Sequence, residues 1–282
     1  MASAVRTVAL PFGDRIPALG LGTWHMGEDP DRRETELAAL ERGLDLGLGL
    51  VDTAEMYGDG AAEELVGDAI AGRRDDVFVV TKVLPTNATH ARTIAACERS
   101  LRRLGTDYID LYLLHWRGLT RLEETVEAFH ELVEAGKILN WGVSNFDVAD
   151  MEELFRVPPE GPHAQVDQVL YNLARRGIEL DLLPWCRAHR IPIMAYSPIE
   201  QGRLVGHPAL RRIADRHGAT PAQVALAWVF RQDGVGAIPK AGTPAHVDEN
   251  RAALDLRLEL QDLAELDAAF PPPAEPRPLE ML

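Results

Sequence analysis

The stretch GLGTWHMG, residues 20–27, decides between two folds. Gly20 and Gly22 begin the G-x-G-x-x-G turn of an open dinucleotide-binding sheet. His25 stands where the third glycine would have to let helix and strand pack closely. The fingerprint fails, so the pattern on either side of it needs another explanation.

That pattern is an alternation of strand-length apolar runs with amphipathic helical stretches, from about residue 20 to residue 255. After GLGTW, ETELAALERGLDLG (34–47) places Leu37, Leu40 and Leu44 on one helical face. LVDTA is followed by AAEELVGDAI, VFVVTKV by HARTIAACERSLRRLG, and YIDLYLLH by RLEETVEAFHELVEAG. KILNWGVSN precedes a helix near 147–155 and AQVDQVLY one near 180–189. IPIMAYSP precedes TPAQVALAWVFRQ, and VGAIPK precedes TPAHVDENRAAL. Eight strand-then-helix units predict an α/β fold of one domain over residues 1–282, a closed (β/α)8 TIM barrel, which typically needs about 250 residues. RTVAL and RIPALG predict a small N-terminal β-hairpin. LELQDLAELDAAF predicts an extra C-terminal helix, ended by Pro271, Pro272 and Pro273, with a tail beyond.

The charge balance narrows the partners. With 29 Lys and Arg against 44 Asp and Glu, the formal net charge is -15, which repels nucleic acid and anionic membrane surfaces while leaving room for a local anion site. No apolar run approaches the roughly 20 residues of a membrane span, and the opening MASAVRTVALPFGDR lacks the apolar core of a signal peptide. The two cysteines, Cys97 and Cys186, lie in helical stretches and read as free buried thiols suited to a reducing compartment. A cytoplasmic monomer is expected. None of the nine histidines falls in H-x-H or H-E-x-x-H spacing, so no metal site is expected.

In a barrel of this kind the functional groups sit where strands end and the following loops begin. LVDTA ends the second strand with Asp52, and Tyr57 follows in its loop; VVTKV ends the third with Lys82, and YLLHW ends the fourth with His115. Singly, an Asp at a strand end can cap a helix, and a Tyr or His can simply pack. A Lys ending an apolar strand is harder to dismiss, because burying an unpaired ammonium is costly. Together the four form a coherent set. Asp52 would pair with Lys82, Lys82 would lower the pKa of Tyr57 from its reference of about 10, and His115 would donate to a carbonyl oxygen. Such a set protonates an oxygen that becomes an alkoxide when hydride reaches its carbon.

At this point the chain resembles the aldo-keto reductases, from about residue 7 through 270. GLGTW, DTAEMYG, VVTK, DYIDLYLLHW, GKILNWGVSNF, AYSP and IPKAGTPAHVDEN fall in that family's order, and DQVLYNLARRGIELDLLPWCRAHRIPIMAYSPIEQGRL is similar to its bacterial members. The resemblance implies a catalytic tetrad at Asp52, Tyr57, Lys82 and His115, with Tyr57 as general acid. It also implies NADPH, with NADH possible, bound across the strand ends, and reduction of small aldehydes or ketones. Ser144, Asn145 and Gln168 match ligands of the nicotinamide carboxamide, and amides and hydroxyls suit a group that both donates and accepts. Tyr196 matches the ring that stacks on the nicotinamide. Gly22, Thr23 and Ser197 belong to the same surface. Taken singly, Ser144 and Asn145 are equally a helix cap, and Tyr196 equally core.

IPKAGTPAHVDEN reads as an anion site. Thr243 and Pro244 are an N-cap and first helical residue, which leaves free N–H groups and a positive dipole end, with Lys240 just before them. Glu249 and Asn250 match adenine contacts, or else a solvated helix face. Ala241 stands where the family usually has serine, and His246 where it usually has arginine; both departures bear on the 2′-phosphate. Trp24, His25, Met56 and Trp116 are expected to wall the substrate pocket, with a small dicarbonyl such as methylglyoxal as the family-level substrate. The alternative reading is a non-catalytic, nicotinamide-sensing subunit of the same fold.

Overall fold

In a computed structural model the structure describes residues 5–159 and 161–282. Residues 1–4, the beginning of the stretch read above as lacking a signal core, and residue 160 lie outside the described residues.

The hairpin forms as β1 (Thr7–Ala9) and β2 (Arg15–Pro17), antiparallel, with Val8 opposite Ile16. The repeating unit then runs β3 (Leu21–Gly22), α1 (Arg33–Asp45), β4 (Leu50–Asp52), α2 (Ala61–Ile70), β5 (Phe78–Val83), α3 (His90–Leu104), β6 (Ile109–Leu114) and α4 (Leu122–Glu134). It continues as β7 (Ile138–Ser144), α5 (Val148–Phe155), β8 (Asp167–Leu170), α6 (Leu182–Ala188) and β9 (Ile193–Tyr196). The last elements are α7 (Pro208–His217), α8 (Pro221–Phe230), β10 (Val235–Ala237), α9 (Pro244–Ala252) and α10 (Leu260–Ala269). Strands β3 to β10 pair in parallel and in sequence order. Parallel bridges Leu19 to Ala237 and Gly22 to Lys240 join the first strand to the last and close the barrel. Helix α7 is an addition to the eight-unit reading. Its signals are Pro208 in the first turn, Leu210, Ile213 and Ala214 on one face, and a left-handed Gly218 at its end.

The strand period explains how the barrel interior is divided. Leu50, Val80, Leu111, Leu113, Val166, Met194 and Ile238 pack with Val8, Leu10, Ile16 and Ala18 of the hairpin region in one buried apolar cluster. The hairpin thus seals the end of the barrel where the strands begin. Successive inward residues are two apart. The step from Leu50 reaches Asp52, from Val80 Lys82, from Leu113 His115, from Val166 Gln168, and from Met194 Tyr196. An apolar layer is followed by a polar layer at the opposite mouth. A larger apolar cluster lies between the strands and the surrounding helices, and both cysteines are free and buried in it. No helix among the described residues is long and apolar enough to cross a membrane.

Closure of the barrel depends on Gly22. Its N–H donates to the Pro239 carbonyl at 3.1 Å, and a Cβ at this position would lie 2.5 Å from the Ile238 carbonyl oxygen. Backbone meets backbone there, so no side chain can swing away. Gly22→Ala is expected to lower the unfolding free energy by about 1–3 kcal/mol, read from urea denaturation. An unchanged midpoint would show that the seam accommodates the methyl group.

Candidate active site

The polar layer is built around Lys82, which is 0 % exposed. Its Nζ donates to Asp52 Oδ2 at 2.8 Å, to the Thr53 carbonyl at 2.7 Å and to the Tyr57 hydroxyl oxygen at 3.3 Å. An ammonium has three donors and each finds an oxygen. On its other side Asp52 Oδ1 accepts from Gln168 Nε2 at 2.7 Å, a bond that spans the barrel interior from β8 to β4. Sequence reasoning assigned Gln168 to the cofactor surface; its Nε2 also ties the Asp52 carboxylate in place. The His115 ring stands edge-on to Tyr57, with centroids 5.9 Å apart. All four residues expected to act together therefore do meet, on three consecutive strands and one loop.

Protonation states follow from burial and partners. Burial opposes the charge of Lys82, but Asp52 and Tyr57 override it and hold the ammonium above its ordinary value of 10.5. Burial raises the Asp52 carboxyl, with Lys82 and Gln168 working against that rise. For Tyr57 the outcome corrects the expectation from sequence. Burial pushes the phenol above its ordinary 10.0, Lys82 pulls it down, and burial wins, with Asp52 adding to the rise. Tyr57 is therefore a fully protonated phenol near neutral pH. Because Lys82 donates to its oxygen, its own hydrogen is free to point elsewhere. Burial, reinforced by Lys82, drives His115 down to about 2, so the imidazole is neutral and has one N–H to give.

These groups open into a cleft of about 740 Å³. Asp52, Tyr57 and His115 form its floor, and the four expected pocket residues Trp24, His25, Met56 and Trp116 all line it. Gly22, Ser144, Asn145, Gln168, Tyr196, Ser197 and Lys240 complete the expected lining. Tyr196 donates from its hydroxyl to Asn145 Oδ1 at 2.9 Å, and Asn145 Nδ2 donates to the His115 carbonyl at 3.1 Å. Ser144 Oγ donates to the Gln168 carbonyl at 2.8 Å. His25, Asn145 and Ser197 hold left-handed backbone conformations although none is glycine, so strain collects on the wall of this cleft.

Five expected cofactor residues lie outside the cleft's lining. Thr23 is buried and donates from Oγ1 to the Asp52 carbonyl at 3.0 Å, bracing the adjoining strand. Thr243 caps α9 by accepting from the His246 N–H at 3.3 Å, with Pro244 in the first turn, as the sequence predicts. His246 is exposed on the first turn of α9. Glu249 Oε1 accepts from Thr220 Oγ1 at 2.5 Å, which fastens α9 to the start of α8, and Asn250 is buried.

Sequence reasoning missed two further parts of the site. Glu55, buried between Asp52 and Tyr57, accepts from the Leu84 N–H at 2.8 Å and Asn87 Nδ2 at 2.9 Å, pinning the Tyr57 loop to the loop after β5. Met281 and Leu282 reach the cleft from the C-terminal tail, whose Glu280 pairs with Arg175 at 2.6 Å. Arg175 also holds Glu200 of the 197–202 loop at 3.1 Å. The signal was present: Leu279, Met281 and Leu282 are apolar residues after a proline-rich stretch that otherwise reads as a solvated tail.

The chain is similar to known proteins over most of its length. A sequence model described as the aldo/keto reductase family matches residues 18–270. The methylglyoxal reductase YeaE of Escherichia coli is 53% identical over 272 residues, which cover 95% of each chain. The glyoxal reductase of Bacillus subtilis is 35% identical over 265 residues, 93% of this chain and 92% of that one. A crystal structure of an aldo/keto reductase from Klebsiella pneumoniae in complex with NADP and acetate superposes with a TM-score of 0.96 at 52% identity, covering 99% of this chain and 100% of that one.

The depressed His115 value is directly observable. Its ring signals in an NMR titration are expected to stay in the neutral form from about pH 8 to about pH 5, whereas an ordinary histidine titrates near 6.5. The unfolded chain takes up that proton and the folded one refuses it, so stability falls as pH drops below about 6.5, by up to about 1.4 kcal/mol per pH unit from this group. A His115 midpoint near 6.5 would contradict the burial argument.

Proposed function

The chain belongs to the aldo/keto reductase family, and from that membership we propose that its cleft reduces small aldehydes and ketones with NADPH, Tyr57 supplying the proton. The observation that carries this reading is the bond from Lys82 Nζ to the Tyr57 oxygen, which leaves the phenol hydrogen free beside the cleft. The donor set fits a dinucleotide. The mouth offers an aromatic ring at Tyr196, amides at Asn145 and Gln168 and a hydroxyl at Ser144, and Lys240 stands on its rim.

A bound reduced nicotinamide supplies the hydride that adds to the carbonyl carbon. As the carbonyl electron pair moves onto oxygen, Tyr57 gives that oxygen its proton and becomes a phenolate. Lys82 stabilises the phenolate through the hydrogen bond it already makes, and Asp52 keeps Lys82 charged and aimed. The neutral His115 donates its N–H to the same oxygen and fixes which face of the carbonyl is presented. Burial keeps the Tyr57 phenol protonated before reaction, and the cation beside it makes the proton easier to give once charge develops.

Trp24 and Trp116 give the cleft flat apolar walls, which suit a short carbonyl compound. The names of the E. coli and B. subtilis relatives favour a 2-oxoaldehyde or dialdehyde. Free buried cysteines suit a reducing compartment such as the cytoplasm, and a site whose four proposed catalytic side chains all lie in one chain would let a monomer act.

Tyr57→Phe is expected to lower kcat for methylglyoxal at least about 100-fold, the scale of one general acid. The dissociation constant for NADPH should stay within about twofold, because the ring and its packing remain. A Tyr57→Phe enzyme keeping a tenth of the wild-type kcat would remove Tyr57 from this role.

A further inference from the structure

Two cations meet at the rim of the cleft, and one of them was not expected there. A Cβ built on Gly242 would lie 3.1 Å from Arg32 Nη2 and 3.1 Å from Lys240 Nζ. The two side chains come from opposite ends of the chain, the loop after β3 and the loop before α9, and converge on one point. A side chain at position 242 would push into both. Gly242 is not in a left-handed conformation, so turn geometry does not account for the glycine.

Like charges placed together without a counter-ion are unfavourable, and here nothing fully neutralises them. Lys240 makes no ion pair or hydrogen bond among the described residues. Burial, followed by Arg32, lowers its pKa, and the Glu36 and Glu28 carboxylates only partly oppose that fall. Arg32 reaches Glu36 Oε1 only at 3.5 Å, and its side chain is half exposed. Glu36 itself is buried and accepts from the Gly27 N–H at 2.9 Å, so it anchors the guanidinium without saturating it. The N-terminus of α9 adds a positive dipole end beside the pair, and Ala241 contributes no side-chain donor.

Resting on the nicotinamide reading above, we propose that Arg32 is a specificity-determining residue that, together with Lys240, binds the 2′-phosphate of NADPH in the space left open by Gly242. The phosphate monoester matches the pair because it carries close to two negative charges at pH 7. Each phosphate of the pyrophosphate bridge carries only one. The guanidinium presents two parallel N–H donors to two phosphate oxygens, and the ammonium acts as a point charge from the other side. His246, exposed on the first turn of α9, is not required for this contact.

The test is the ratio of NADH to NADPH dissociation constants, from quenching of protein fluorescence at constant pH and ionic strength. Arg32→Gln should weaken NADPH about tenfold or more, the size of a lost charge-assisted contact, and change NADH less than about twofold. Gly242→Val should reduce the same ratio by displacing one or both cations. Equal weakening of NADPH and NADH by Arg32→Gln would assign the residue to the shared pyrophosphate and overturn the proposal. An unchanged ratio in both variants, in a wild-type protein that binds NADPH, would overturn this proposal alone. A wild-type protein that binds neither dinucleotide would overturn the cofactor reading along with it.

Discussion

The ammonium of Lys82 is the constraint around which the mouth of this barrel is arranged. A fully buried cation costs several kcal/mol unless each of its protons is matched, and removing one partner from a buried pair typically costs about 3–5 kcal/mol. Asp52, the Thr53 carbonyl and the Tyr57 hydroxyl meet that requirement. To do so they must arrive from β4 and its loop, the neighbour of β5, in fixed register, with Asp52 beside Val80. Gln168 then extends the network across the interior to Asp52. The geometry proposed for catalysis is in this sense the same geometry that lets the lysine be buried at all.

The surrounding fold supports that arrangement in two ways. The hairpin and the inner apolar layer close one end of the barrel, so the polar layer can open only toward the other. Behind β5, Glu63 is 0 % exposed and accepts from Thr81 Oγ1 at 2.6 Å and from Arg103 Nε at 2.6 Å. That outward bond fixes the strand one residue before Lys82. Glu55 does the corresponding work for the Tyr57 loop. These are buried carboxylates with satisfied partners, placed so that a lysine and a tyrosine cannot drift apart.

Much of this was legible in the sequence. Eight strands, the hairpin, the extra C-terminal helix and the three polar strand ends could be read because the period of two and the period of 3.6 are strong signals in buried strands and amphipathic helices. Helix α7 was readable from Pro208 and Gly218 but lies inside one unit of the repeat, between its strand β9 and its helix α8. What could not be read was set by through-space balance. The sign of the Tyr57 shift depends on burial outweighing a neighbouring cation, and the convergence of Arg32 on Lys240 joins residues far apart in the chain. Glu249 shows the same limit from the other side: the resemblance implied an adenine contact and its helix position a solvated face, while neither announces the bond that ties it to Thr220. The tail residues Met281 and Leu282 enter the cleft through an ion pair between Arg175 and Glu280 that no local pattern announces.

The central claim is that Lys82 is charged inside the protein and stays so across the working range. Nitrogen-15 NMR of the lysine side chain tests this most directly, since a buried ammonium exchanges its protons slowly enough to be seen, and Lys82→Met assigns the signal. With its pKa held above the ordinary 10.5, the Lys82 resonance is expected to keep its ammonium shift and its three protons from about pH 6 to about pH 9. A resonance that titrates within that range, or that is already a neutral amine at neutral pH, would contradict the account.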